Sequence, residues 1–173
     1  NVSCFGLSDG ATGITIAGGT LPLSVQWSNG QTSNTISNIP AGTYTVTVTD
    51  AAGCSATYTD VITQPSLLSG SVVSVVNVLC HGDLTGSATL SATGGNGNYT
   101  WSWTGTTSST SSISGVGAGT YIAMVTDQSG CSASAQINIT EPSAPLTLQG
   151  AVTQTTCGNN DGSVTVTAGG GTT

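Results

Sequence analysis

Few side chains in this sequence of 173 residues could carry out catalysis, and they are widely spaced. The chain has one histidine, seven acidic residues and neither lysine nor arginine. A histidine-dependent triad would need a nucleophile and a carboxylate around His81. His81 directly follows Cys80, whereas Phe5 follows the corresponding Cys4. We therefore interpret His81 as a turn residue and predict that the chain is not an enzyme.

Calcium binding is the cofactor chemistry that the acidic residues leave open. A Ca²⁺ ion takes about six to eight oxygen ligands, usually several of them from carboxylates. The acidic residues here stand mostly one per turn, so Asp9 or Asp161 would need help from backbone carbonyls. Asp50 and Asp127 end equivalent strands and are predicted to accept turn hydrogen bonds. We expect no cofactor, with a calcium site at Asp9 or Asp161 as the alternative.

The charge balance argues against two classes of partner. The formal net charge is −7, and 4% of the residues are charged, against about 25% in ordinary soluble domains. Nucleic-acid binding depends on cations that neutralise phosphate, and so does attraction to anionic membranes. The sequence also has no apolar run of about 18 residues. We expect neither nucleic-acid binding nor direct membrane insertion.

A strand pattern recurs together with its turn and its cysteine. Residues 42–50 alternate in polarity and are followed by Cys54, and residues 119–127 and Cys131 repeat the pattern 77 residues later. Alternation with period two predicts a β-strand. The same offset of 76 or 77 residues separates Cys4, Cys80 and Cys157. We predict a tandem array with repeat one at residues 1–65, lacking its first strand, repeat two at 66–142 and the start of repeat three at 143–173.

Repeat two contains the full set of predicted strands. These are residues 72–79, 86–92 and 98–103, an edge strand near Ile113, residues 119–127 and residues 132–139. Repeat one has counterparts at residues 23–27 and 36–39. Short strands separated by turn signals, with no helical period, are typical of a β-sandwich. The predicted fold class is all-β, with tandem immunoglobulin-like β-sandwich repeats of about 77 residues.

Four aromatic residues are predicted to fill the sandwich cores. Trp27 and Trp103 stand on central strands, whereas Tyr44 and Tyr121 open the penultimate strands after Ala-Gly-Thr. A tyrosine at that place is typical of the tyrosine corner of immunoglobulin-like sandwiches. Trp101 shares a strand face with Trp103, so sugar binding by exposed aromatic side chains stays open as an alternative.

The five cysteines indicate structural disulfides formed in an oxidising compartment. Two are available in each repeat, so the expected pairs are Cys4–Cys54 and Cys80–Cys131, one disulfide per repeat. Each bond would stabilise the fold by about 4 kcal/mol in the chain-entropy model. Cys157 is expected to pair with a residue beyond position 173. The sequence reads as a window cut from a longer protein, and a targeting signal could lie outside it.

The order and spacing of these motifs resemble the SprB repeat of very large surface adhesins in gliding Bacteroidetes. In the first copy the resemblance runs through Cys4, Gly18-Gly19, Trp27, Ala41-Gly42-Thr43-Tyr44, Val48-Thr49-Asp50, Gly53-Cys54 and Ile62-Thr63-Gln64-Pro65. In the second it runs through Cys80, Gly94-Gly95, Trp103, Ala118-Gly119-Thr120-Tyr121, Val125-Thr126-Asp127, Gly130-Cys131 and Ile139-Thr140-Glu141-Pro142. It departs at Asp9-Gly10, which becomes Thr85-Gly86 before Asp161-Gly162 returns.

This resemblance implies a secreted, extracellular adhesin or filament, exported by type IX secretion and in some members carried along the cell by the gliding motor. The repeats would then form a structural or adhesive shaft, acting in gliding motility or in surface attachment. The implied partners are neighbouring repeats of the same chain, like chains in a filament, since the edge strands lack lysine, and surface glycans. The alternatives are an array of glycan-binding modules and an accessory region of a large secreted enzyme.

Overall fold

Every regular element of the computed structural model, which describes residues 1–171, is a β-strand. The strands are β1 (Gly10–Gly13), β2 (Ser24–Trp27), β3 (Thr35–Ile39), β4 (Gly42–Thr49), β5 (Ser55–Ile62), β6 (Ser69–Val76), β7 (Gly86–Thr93), β8 (Thr100–Trp103), β9 (Ser112–Val116), β10 (Gly119–Thr126), β11 (Ser132–Ile139), β12 (Thr147–Thr153) and β13 (Ser163–Gly169). The all-β prediction is confirmed. The last two residues of the predicted third repeat lie outside the described residues.

Strands β6 to β11 form two three-stranded sheets with a common core. Their orders are β6-β7-β9 and β11-β10-β8. Side chains along β7 point alternately to opposite faces, so Ala88 and Leu90 are buried while Ser87 and Thr89 between them are half-buried. The buried residues that pack together are Val78, Ala88, Leu90, Trp103, Ile113, Ala123, Ile137 and Ile139. This is the two-layer arrangement of a β-sandwich.

Strands β1 to β5 repeat this plan with one strand fewer. Their sheets are β1-β3 and β2-β4-β5. The antiparallel pairing of β4 with β5 runs from Gly42 opposite Ile62 to Thr49 opposite Ser55. The core consists of Val2, Val25, Trp27, Ile36, Ile39, Tyr44, Val46 and Ile62. Within the described residues β1 pairs with β3 alone, whereas its counterpart β7 lies between β6 and β9.

Strands β12 and β13 form an antiparallel two-stranded sheet of their own. Their register runs from Thr147 opposite Gly169 to Thr153 opposite Ser163. Every residue of both strands is exposed, so this hairpin has no core. Two-stranded hairpins of this kind are marginally stable in water.

A tyrosine fixes the start of the penultimate strand in each sandwich. The hydroxyl of Tyr44 donates a hydrogen bond to the carbonyl oxygen of Pro40 at 2.9 Å, and that of Tyr121 donates to Gly117 at 3.1 Å. Both bonds reach four residues back along the chain, as in the tyrosine corner of immunoglobulin-like sandwiches. Tyr44 is buried and Tyr121 is half-buried.

A tryptophan occupies the centre of each core and uses its one polar atom. Trp27 and Trp103 are 1% and 7% exposed. The indole N–H of Trp27 donates to the carbonyl oxygen of Ser33 at 2.8 Å, and that of Trp103 donates to Thr110 at 2.8 Å. Buried tryptophans need such a partner, and in both sandwiches the segment before the edge strand supplies it.

The described chain divides into two compact units that differ from the sequence repeats. One contains residues 1–69, 92–99 and 126–133, and the other contains residues 70–91, 100–125 and the chain from 134 onwards. Two loops that belong to repeat two by sequence therefore pack with repeat one. The repeat boundaries after residues 65 and 142 stay a prediction. Within residues 1–171, no helix has the length and hydrophobicity needed to cross a membrane.

Candidate functional site

A disulfide bond joins Cys4 to Cys131, which stand 127 residues apart with their Cα atoms 5.7 Å from each other. The predicted pairs Cys4–Cys54 and Cys80–Cys131 are therefore wrong, and so is the expectation of one disulfide closed within each repeat. Cys131 lies in the same compact unit as Cys4, so its sulfur meets the cysteine of the preceding copy. Cys54, Cys80 and Cys157 are exposed free thiols.

A polar contact accompanies this disulfide within the same unit. The side-chain amide of Asn96 donates to the carbonyl oxygen of Ser3 at 2.8 Å and to the hydroxyl of Ser129 at 2.7 Å. The sulfur of Cys131 lies 3.4 Å from the same carbonyl of Ser3. The loop that contains Asn96 is predicted only as a glycine-rich turn, and its role in holding the first repeat is not apparent from the sequence.

Asp127 organises the turn that carries Cys131. Its carboxylate accepts hydrogen bonds from the backbone N–H groups of Asn96 at 2.8 Å and of Ser129 and Cys131 at 2.9 Å. Burial raises the pKa of Asp127, but these backbone hydrogen bonds together lower it further, so the pKa lies below its usual value. The predicted role of Asp127 in accepting turn hydrogen bonds is confirmed.

Asp50 has the same role in the turn of Cys54. Its carboxylate accepts hydrogen bonds from the backbone N–H groups of Thr20 at 3.0 Å and of Ala52 and Cys54 at 2.9 Å. The bonds from Thr20 and Cys54 hold the pKa of Asp50 below its usual value. The two aspartates thus fix the same turn, which presents a disulfide cysteine in one copy and a free thiol in the other.

The two aspartates weighed as calcium ligands already accept hydrogen bonds in their own turns. Asp9 accepts from the backbone N–H of Ser3 at 3.0 Å and from its hydroxyl, and Asp161 accepts from the N–H of Thr156 at 2.7 Å and from its hydroxyl at 2.6 Å. These bonds, led by those from the hydroxyls, lower the pKa of both carboxyls. Within residues 1–171, no group of three or more histidine, cysteine or acidic residues could hold a metal ion.

Thr85 explains the departure of repeat two from the aspartate-glycine pattern. Its hydroxyl accepts a hydrogen bond from the backbone N–H of Leu79 at 3.1 Å. Asp9 accepts the equivalent bond from Ser3 in repeat one. A neutral oxygen therefore replaces a carboxylate at the same turn.

His81 lies at a turn as predicted. Its Nδ1 is 2.9 Å from the carbonyl oxygen of Pro142 and 3.7 Å from Oε1 of Glu141. The other carboxylate oxygen of Glu141 accepts a hydrogen bond from the N–H of Gly82 at 2.7 Å. These contacts tie the turn after Cys80 to the end of the repeat.

The aromatic side chains considered for sugar binding take part in packing. Trp27 and Trp103 are buried, and Trp101 is half-buried against the core of repeat two. The hydroxyl of Tyr99, on the same strand face as Trp101, donates to the carbonyl oxygen of Gly94 at 2.6 Å. None of the three tryptophans offers an exposed ring face comparable with a sugar-binding platform.

An open groove of about 550 Å³ runs beside β1 in repeat one. Its lining includes Ile14, Ile16, Val46, Val48 and Tyr58, with Gly18, Gly19 and Cys54 also at its surface. The sequence predicts the missing first strand of this repeat but does not predict the groove. The available signal was the alternation of Ile14 and Ile16, which continues past the end of β1 and leaves both residues half-buried.

Comparison with known protein families supplies the remaining observation. Residues 1–32 and 72–108 match the SprB repeat. The match confirms the resemblance read from the sequence. The two matched segments end 76 residues apart, which is the offset of Trp27 from Trp103. No curated protein matches the chain.

Proposed function

We propose that this chain is a structural repeat region of a cell-surface adhesin or extracellular filament, in which disulfides join neighbouring SprB repeats. SprB repeats occur in cell-surface proteins and form a structural repeat family. The observation that carries the proposal is the bond between Cys4 of the first copy and Cys131 of the second. A bond between successive copies fits a region whose task is to hold repeats together.

The mechanical consequence follows from the length of chain that the bond closes. Tension that unfolds the polypeptide cannot extend the residues between Cys4 and Cys131 while the disulfide is intact, because the sulfur atoms carry the load. The closed segment spans 127 residues. At about 3.5 Å per extended residue, the hidden length is about 440 Å. Such a shaft would resist shear without full extension of its repeats.

Single-molecule stretching of the chain by its two ends tests this role. We expect the fully unfolded chain to lengthen by about 440 Å when a reducing agent is added. The Cys131→Ser variant should have the long form under both conditions, whereas Cys80→Ser should behave as the unchanged chain. Equal extended lengths before and after reduction would contradict the load-bearing role.

Attachment to cells and gliding are tested separately. A fluorescent antibody fragment against these repeats, followed on living cells of the source organism, should label the cell surface. Movement of the label along the cell body would support a motor-driven adhesin. A stationary label would support a static stalk, and labelling only after cell lysis would contradict the proposed location.

The packing of Trp101 and Tyr99 supports a structural role over glycan recognition. Glycan binding by the purified chain, lost in Trp101→Ala but kept in Tyr58→Ala, would favour an array of glycan-binding modules instead. Tyr58 is a suitable control because its ring is exposed outside the face of Trp101. An accessory role in a secreted enzyme would require a catalytic domain elsewhere in the protein.

A further inference from the structure

Gly94 and Gly95 form a seat for the backbone that leads into β6. A β-carbon added to Gly94 would stand 2.0 Å from the carbonyl oxygen of Leu67. The N–H of Gly95 donates to the carbonyl oxygen of Ser66 at 2.9 Å. Such close approach of two backbones requires glycine, because any side chain would occupy the place of the carbonyl.

Gly170 and Gly171 form the same seat before β12. A β-carbon on Gly170 would stand 2.0 Å from the carbonyl oxygen of Pro145, and the N–H of Gly171 donates to Ala144 at 3.0 Å. The side chains that follow also correspond. Cδ1 of Leu68 lies 3.3 Å from the β-carbon position of Gly95, and Cδ1 of Leu146 lies 3.5 Å from that of Gly171.

Gly18 and Gly19 form the corresponding seat in repeat one, and it is open. Gly18 precedes Gly94 by 76 residues, as Gly94 precedes Gly170. The backbone has the same left-handed conformation, with φ of +82° at Gly18 and +80° at Gly94. No atom outside its chain neighbours lies within 4 Å of the β-carbon position of Gly18. Both Gly18 and Gly19 line the open groove.

The rest of the groove matches the surface that β6 covers in repeat two. The β-carbon position of Gly70 in β6 lies 3.7 Å from Cγ1 of Val125 and 3.9 Å from Cβ of Ala135. The residues 77 positions earlier, Val48 and Tyr58, line the groove. The groove therefore has the shape and the backbone seat of a site for a first strand.

We propose that the groove of repeat one binds residues 144–153 of a second copy of this chain, so that copies assemble head to tail. The segment contains β12, and Leu146 and Leu148 are each 71% exposed. Leaving the marginally stable hairpin with β13 costs little, while entering the groove removes these side chains from water. A strand added to a free sheet edge also gains backbone hydrogen bonds. Because donor and acceptor are different surfaces, the contact extends into an open chain.

The free thiols offer an independent mark of this assembly. Docking in the manner of the internal junction places Cys80 of the second copy where Cys4 stands, and Cys54 where Cys131 stands. Cys54 and Cys80 are exposed free thiols, and Cys54 lines the groove. With oxidised glutathione as oxidant, the two thiols lose two protons and two electrons to form one S–S bond, and the oxidant is reduced to two thiols. This inference concerns assembly and does not depend on adhesion.

Sedimentation of the purified, reduced chain over a range of concentrations tests the groove. We expect association that is at least tenfold weaker in Gly18→Ala, because the new β-carbon occupies the carbonyl seat. Gly30→Ala is the matched control, since Gly30 has φ of +89°, open space around it and no part in the groove. Thermal unfolding of both variants should fall equally. A synthetic peptide of residues 144–153 should return the assemblies to monomers.

The donor strand and the thiols give two further readouts. Leu146→Ser should weaken association, whereas Leu79→Ser, at a side chain that is 70% exposed elsewhere, should not. After oxidation, mass spectrometry should find Cys54 of one copy bonded to Cys80 of another. A chain that stays monomeric at every concentration would overturn the proposal. So would equal association of Gly18→Ala and Gly30→Ala, or disulfides spread without preference among Cys54, Cys80 and Cys157.

Discussion

Gly86 and Val116 approach so closely that a β-carbon on Gly86 would stand 2.7 Å from the carbonyl oxygen of Val116. The same β-carbon would lie 2.8 Å from Cγ2 of Ile139, which is buried in the core. Overpacking at such a site costs about 1–3 kcal/mol. We expect Gly86→Ala to lower the free energy of unfolding by about that amount in urea denaturation. Gly150→Ala is the control, because Gly150 has open space around it, and equal losses in the two variants would contradict the prediction.

Removing the hydroxyl of Tyr44 tests the tyrosine corner. Tyr44→Phe keeps the buried ring but removes the donor to the carbonyl oxygen of Pro40. We expect a loss of about 1 kcal/mol in the free energy of unfolding, since a hydrogen bond of this kind contributes about that much. Tyr58→Phe should have almost no effect because Tyr58 is 55% exposed. Losses of the same size would show that the corner contributes nothing specific.

Removing the disulfide tests the pairing directly. Cys4→Ser opens a loop of 127 residues, for which the chain-entropy model gives a loss of about 5 kcal/mol. We expect a large fall in the unfolding temperature of the compact unit that contains Cys4, with no further fall on adding a reducing agent. Cys80→Ser should leave the monomer unchanged. If Cys80→Ser were as damaging as Cys4→Ser, the pairing within repeats would have to be restored.

Stability should depend on pH through the turn aspartates. The pKa of Asp127 is lower in the folded chain than its ordinary value of 3.8. Such a carboxylate stabilises the fold above pH 3.8, and this contribution is lost as the pH falls through the lowered pKa. We expect urea denaturation to show constant stability from neutral pH to about pH 5 and a decline below about pH 4. In Asp127→Asn the decline should be smaller, and an identical decline would exclude Asp127 as a contributor.

The strands could be predicted closely because local pattern determines them. Residues 132–139 were expected as a strand, and β11 is Ser132–Ile139. The strand expected at 119–127 is β10, Gly119–Thr126. Alternating polarity and flanking glycines act over a few residues, so they can be read from one segment. The tyrosine corners follow for the same reason, since each hydroxyl reaches back only four residues.

The disulfide could not be predicted because repeated spacing hides which copies are paired. Cys54 and Cys131 occupy the same place in their repeats, as do Cys4 and Cys80. A bond within a copy and a bond between successive copies therefore predict the same spacing. Only the folding of residues 126–133 into the unit of Cys4 distinguishes them. The seat at Gly94 was missed for a related reason, because a glycine pair that admits a backbone reads like a pair that makes a turn.

The bond between Cys4 and Cys131 also changes what one break in the backbone can do. Hydrolysis of any single peptide bond between these two residues gives two polypeptides that remain one covalent molecule. The cut ends stay tethered to folded sheets, so the original pairing of strands can re-form around the nick. Damage that would sever an ordinary string of domains therefore leaves this part of the chain continuous.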